Sequence, residues 1–214
     1  MKKIVLVIVA FCTLSLDAQN TSDKAKSLLD EVSAKVNSYT NISIDFKYVL
    51  SNTEEDINQE TRGDVIMEGD KYVLNVLGVT RIFDGKTLYT INPEDEEVTI
   101  SSNNTEDENT ITPSQMLSFY TEGYDHTMDI VQNVAGRKIQ YVKLVPIDSN
   151  SEIKHVLLGI DIKTKHIYNL IEVGRNNTKT TLTVNSFKTN EPLSKTLFTF
   201  DETKYSDYFI NRID

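Results

Sequence analysis

Apolar residues first recur at helical spacing from Ala25 onward. Ala25, Leu28, Leu29, Val32, Val36 and Tyr39 make one stripe. The stripe predicts an amphipathic helix with Ser22 as its N-cap and Asn41 as its end. From Ile42 the period becomes two: Ile42, Ile44, Phe46, Tyr48 and Leu50 alternate with Ser43, Asp45 and Lys47, the pattern of a strand with one buried face. Ser51–Gln59 is polar and acidic and reads as a loop. Val65 and Met67 resume the alternation, and Tyr72, Leu74 and Val76 continue it after the Glu68–Lys71 turn. Short strands at Thr80–Phe83 and Thr87–Ile91 flank Gly85-Lys86, and the Asn92–Asp95 turn leads into Val98 and Ile100. Successive hairpins at this spacing predict an antiparallel meander.

The meander is interrupted by a polar loop at Ser101–Asn109. Thr112, Pro113 and Gln115 then carry the signals of a helix start, as N-cap, N1 and N3. Met116, Leu117, Phe119 and Tyr120 cluster on one side of this short helix, and Gly123 is placed to end it. Further strands are expected at Met128–Gln132, Ile139–Val145, Ile153–Ile162, Ile167–Val173, Thr180–Phe187 and Leu197–Phe200. The whole is a mainly-β single domain of about eleven antiparallel strands. A sheet that wide curls into an incomplete, strongly curved barrel, and its concave face must be covered by short helices, side chains or a ligand.

Before this domain, Lys2 and Lys3 precede an apolar run from Ile4 to Leu16 that ends at Asp17-Ala18. That is the pattern of a secretory signal peptide over residues 1–18, which leaves 19–214 as the exported domain. Cys12, the one cysteine, falls inside the run. The mature chain is therefore expected to lack disulfides, Cys catalysis and thiolate metal sites. With 22 Lys+Arg against 32 Asp+Glu, the net charge of −10 opposes nucleic-acid binding. His126, His155 and His166 show no metal-ligand spacing, and no nucleophile motif or nucleotide loop is present. The acidic runs Glu94–Glu97 and Glu106–Glu108 lack the EF-hand pattern and read as solvated loops. No catalytic residue, metal site or cofactor is expected. The stripe Met116, Leu117, Phe119 and Tyr120 has two readings, plain core packing or a movable cover that engages apolar cargo.

Asp84-Gly85-Lys86-Thr87-Leu88-Tyr89 followed by Asn92-Pro93 resembles a characteristic stretch of the LolA family of lipoprotein carriers. Arg62-Gly63-Asp64, the Thr112-Pro113 helix and Leu197-Phe198-Thr199-Phe200 support the likeness. The resemblance implies a half-barrel with an apolar interior that accepts lipoprotein acyl chains in the periplasm. It also implies that an inner-membrane ABC-type complex loads the carrier, that an outer-membrane acceptor unloads it, and that the carrier works as a monomer. Candidate acyl-chain contacts are Ile44, Phe46, Tyr48, Val65, Met67, Tyr72, Leu74, Val76, Tyr89, Ile91, Met116, Leu117, Phe119 and Tyr120. Tyr72 among them matches a usual aromatic position of the family. One departure stands out. Familiar members close the lid with an Arg near the end of the second strand, where this chain has Glu68-Gly69. Two alternatives share the architecture: a carrier of free lipid or glycolipid, and a lipid-sensing regulator.

Overall fold

The computed structural model describes residues 21–102 and 113–213. The signal-peptide assignment, the Thr112 cap, the Glu106–Glu108 run and most of the Ser101–Asn109 loop lie outside them. A helix, α1, occupies residues 21–37, so Ser22 sits within it rather than at its cap. Twelve strands follow, with one interruption. They are β1 (Ile42–Asn52), β2 (Ile57–Glu68), β3 (Lys71–Val76), β4 (Val79–Phe83), β5 (Thr87–Asn92) and β6 (Glu97–Ser102), then β7 (Tyr124–Val134), β8 (Arg137–Pro146), β9 (Ile153–Asp161), β10 (Ile167–Gly174), β11 (Lys179–Thr189) and β12 (Phe209–Ile213). Between β6 and β7 lie a one-turn helix, α2 (Pro113–Met116), and a 3₁₀ turn at Phe119–Thr121.

All strands form one sheet in the order β12-β6-β5-β4-β3-β2-β1-β11-β10-β9-β8-β7. Its two edges, β12 and β7, do not meet, so the sheet stays open. Every pairing is antiparallel except β12 beside β6, which is parallel. Three expectations change. The polar segment at 51–59 is largely strand, with the β1–β2 hairpin turning tightly at 53–56, because cross-strand pairing overrides its low apolar content. Ser101 and Ser102 likewise belong to β6 rather than to a loop. Leu197–Phe200 is a turn followed by irregular chain, and the last strand forms further on, at Phe209–Ile213.

Alternation puts Ile42, Ile44, Phe46, Val65, Met67 and Tyr72 on the concave face, where they form one buried cluster with Phe83 and Leu88. A second cluster on the same face joins Val142, Leu144, Val156, Leu158 and Ile160 to the predicted stripe of α1, Ala25, Leu28, Leu29 and Val32. The helix thus covers the β8–β10 side, and Val36 near its end touches both clusters. Asn41 fixes the crossing behind it. Its amide donates to the Glu191 carbonyl (2.9 Å) and accepts from the Glu191 N–H (3.0 Å).

Gly63 is required by a close approach. A Cβ there would lie 2.5 Å from Phe46 Cζ and 2.6 Å from the Asn75 carbonyl oxygen, so the bare backbone lets the Phe46 ring lie flat on β2. Gly63→Ala should force that ring or the β3 backbone to move, at a cost of about 1–3 kcal/mol. A melt followed by circular dichroism should read this as a Tm lower by roughly 3–10 °C; an unchanged Tm contradicts the packing account.

Candidate functional site

The concave face is not filled everywhere. Between the two clusters an apolar cavity of about 380 Å³ opens beneath α2. Its floor is the centre of the sheet: Ile44, Phe46 and Tyr48 on β1, Val65 and Met67 on β2, Leu74 and Val76 on β3. On the other side of β1 the wall is Leu182, Val184 and Phe187 of β11, with Ile167, Leu170 and Leu158 beyond. Pro113, Met116 and Leu117 form the cover, and Leu77 stands at the rim.

Irregular register makes this wall. Phe187 pairs with Ile44 and Val184 with Phe46, although they stand three positions apart on β11, because the ladder slips between Asp45 and Phe46. A β-bulge of this kind inserts one residue and resets which side chains face inward. A second slip between Ile167 and Asn169 does the same on β10. Strict alternation therefore fails along β10 and β11, and the candidates read from sequence do not include Ile167, Leu170, Leu182, Val184 and Phe187.

Of the residues named from sequence, Ile44, Phe46, Tyr48, Val65, Met67, Leu74, Val76, Met116 and Leu117 line the cavity. Five do not. Tyr72 faces inward one row nearer the closed end, 2% exposed and packed on Phe83 with ring centroids 5.7 Å apart; it plugs the core. Tyr89 and Ile91 lie on the opposite face, because the Phe83–Leu88 pairing turns Leu88 inward. Tyr89 instead stacks on Phe200 at 4.6 Å, and that stack continues to Tyr205. Phe119 and Tyr120 pack into the α1-side cluster. Tyr120 is fully buried, its hydroxyl 3.2 Å from Ser33 Oγ, and burial raises its pKa.

The cover is therefore divided. Residues 119–121 are pinned: Phe119 meets Tyr120 and Tyr124 edge-on, and the His126 ring donates to the Tyr120 carbonyl at 2.8 Å. Met116 and Leu117, by contrast, look into the cavity, and Met116 is 36% exposed. Plain core packing thus holds for Phe119 and Tyr120, while Met116 and Leu117 border the cavity. Gly123, at φ 82°, ends the segment in the left-handed region. Leu77 is more unusual. It occupies φ 54° at the β3–β4 turn and is 73% exposed, a conformation that disfavours a branched side chain.

The other end of the wall is tied to α1. Tyr39 Oη lies 2.7 Å from His166 Nε2, and the His166 ring stacks on Phe187 at 4.1 Å. Burial, then the Lys35 charge, lowers the His166 pKa. Among the described residues, no three His, Cys, Asp or Glu side chains converge as metal ligands. No helix among them is long and apolar enough to cross a membrane.

An open antiparallel sheet that encloses a greasy chamber under a short helical flap defines a class of proteins built around an internal apolar space. The chain belongs to one family within it. The sequence model described as outer membrane lipoprotein carrier protein LolA matches residues 37–201. No curated protein matches the chain by sequence. Solved structures share the fold at low identity. An uncharacterized conserved protein from Thermus thermophilus is 12% identical with TM-score 0.60, covering 89% of this chain and 99% of its own. LprF from Mycobacterium bovis is 12% identical with TM-score 0.53, covering 81% and 96%.

Glu172 is the exception to the apolar lining of the concave face. It follows Leu170 by two residues on β10, and burial raises its pKa above the ordinary 4.5. Because the folded pKa is the higher one, the fold favours the protonated form. That contribution is fully present below pH 4.5 and is lost as pH rises through the folded value. Glu172→Gln, which resembles the protonated acid, should therefore raise Tm at pH 7, with the gain closing as pH falls below 4.5. Equal Tm values for the two proteins at pH 7 contradict this assignment.

Proposed function

We propose that the protein is a periplasmic carrier that shelters lipid acyl chains, with acylated lipoproteins as cargo. In this reading an inner-membrane ABC-type complex loads it and an outer-membrane acceptor unloads it. The observation that carries the reading is the apolar cavity on the concave face, covered by Pro113, Met116 and Leu117. A methylene occupies roughly the space of a water molecule, about 30 Å³, so 380 Å³ holds on the order of a dozen of them. Each buried methylene contributes about 0.8 kcal/mol. One chain thus supplies enough driving force to leave water and enter the protein.

Release requires that the cover be weakly held. Met116 and Leu117 meet this condition: a flexible thioether and one branched side chain lie over the opening, and both can repack around cargo of varied shape. The net charge of −10 keeps a loaded carrier in solution and away from anionic lipid surfaces. No catalytic group is needed for such work, and the family is described as one of carriers.

The mature protein should take up a fluorescent fatty-acyl probe saturably, at one site per chain. Met116→Glu should weaken uptake about tenfold or more while leaving the melt unchanged, since it puts a charge at the cavity mouth without disturbing the pinned half of the cover. Failure of the parent protein to take up the probe overturns the carrier reading. Mass spectrometry of the ligand that co-purifies then separates acylated protein from free lipid or glycolipid.

A further inference from the structure

One strand step beyond the apolar cavity stands a carboxylate with no hydrogen bond or ion pair among the described residues. On β10, Leu170 lines the cavity and Glu172 stands two residues further along the same face. Across the sheet the same step leads from Leu182 to Thr180, which pairs with Glu172. Both lie in a second, polar cleft that opens where the apolar lining stops. Two residues of strand span about 7 Å, one side-chain layer beyond the last methyl groups of the cavity.

Glu172 is half-buried and has no hydrogen-bond or ion-pair partner among the described residues. Its in-register neighbours on the two flanking strands are Val156 and Thr180, and the Tyr124 phenol feels its charge. Arg175 borders the same cleft but is engaged elsewhere, its Nε donating to the Ser151 carbonyl at 2.8 Å. A carboxylate held this way is costly in the empty protein, because burial removes water and no cation replaces it. A donor arriving with the ligand removes the cost.

Resting on the carrier reading above, we infer that Glu172 receives a hydrogen-bond-donating nitrogen at the polar end of a single-chain lipid whose tail fills the cavity. The group is an amide N–H or an ammonium; a carboxylate or an ester in that place is disfavoured. An ester offers only acceptors to an acceptor, and a carboxylate adds like-charge repulsion. An N–H adjoining the chain reaches Glu172 while the tail lies along Leu170 and Leu182. A charge-assisted bond to a partly desolvated carboxylate favours the donor by about tenfold in affinity.

The test is competition at pH 7 against a fluorescent acyl probe, with four single-chain ligands below their micellar concentrations: dodecylammonium, N-methyldodecanamide, methyl dodecanoate and dodecanoate. The native protein should bind the two nitrogen ligands about tenfold more tightly than the ester, and dodecanoate most weakly. Preference for the amide assigns the site to N-acyl groups, and preference for the ammonium assigns it to amine-headed lipids. Glu172→Gln should retain ester binding and lose most of the ammonium advantage, and Glu172→Lys should turn the order towards dodecanoate. Equal affinities for all four ligands, or an ammonium preference that survives in Glu172→Gln, overturn the inference while leaving the cavity reading intact. If neither the probe nor the ester binds either protein, the cavity reading itself fails and the inference falls with it.

Discussion

A sheet of twelve strands offers more concave apolar surface than one helix and one helical turn can cover. Burial of apolar surface is the dominant favourable term in folding, so the distribution of cover over this face governs the rest of the molecule. α1 packs over β8 and β9, and Val142, Leu144, Leu158 and Ile160 have essentially no exposure there. Tyr72, Phe83 and Leu88 fill the β3–β5 end with their own bulk. Between these two packed regions, over β1–β3, β10 and β11, the described residues supply α2 and Leu117 as cover. The cavity is what remains when side chains stop short of each other, and its walls are aliphatic and aromatic throughout.

The flap inherits its character from that shortage. One turn of helix is far too short to be stable alone, so its position depends on anchors. At its C-terminal end these are Tyr120 against Ser33, Phe119 against Tyr124, and His126 on the Tyr120 carbonyl. Over the cavity, Met116 and Leu117 rest on apolar contacts, and Leu117 touches both core clusters. On the carrier reading, such a cover exchanges one set of apolar contacts for another when hydrocarbon enters.

Much of this was legible in the sequence, and the failures have physical causes. The period-two runs in β1, β2 and β3 gave their inward residues correctly, because those strands pair in even register. The helix stripe from Ala25 to Val32 was equally plain, since burial on one side imposes the 3.6-residue period. Tyr89 and Ile91 were placed on the wrong face, because in a strand as short as β5 both faces carry apolar residues: Leu88 serves the inner core, while Tyr89 meets the returning C-terminal chain. Phe187 breaks the alternation of Leu182 and Val184 through a bulge, which leaves no compositional trace. Tyr72 and Tyr120 show a different limit: a pattern identifies a buried face but not whether a side chain meets a partner or a void.

The most direct test is to locate a bound tail. Methyl-labelled protein saturated with an isotope-labelled twelve-carbon chain should give nuclear Overhauser contacts from the chain to the methyl groups of Ile44, Leu74, Leu170 and Leu182, which line the cavity. Contacts confined to exposed outer positions such as Ile130, Val131 and Ile213, with none to those four, would contradict the account.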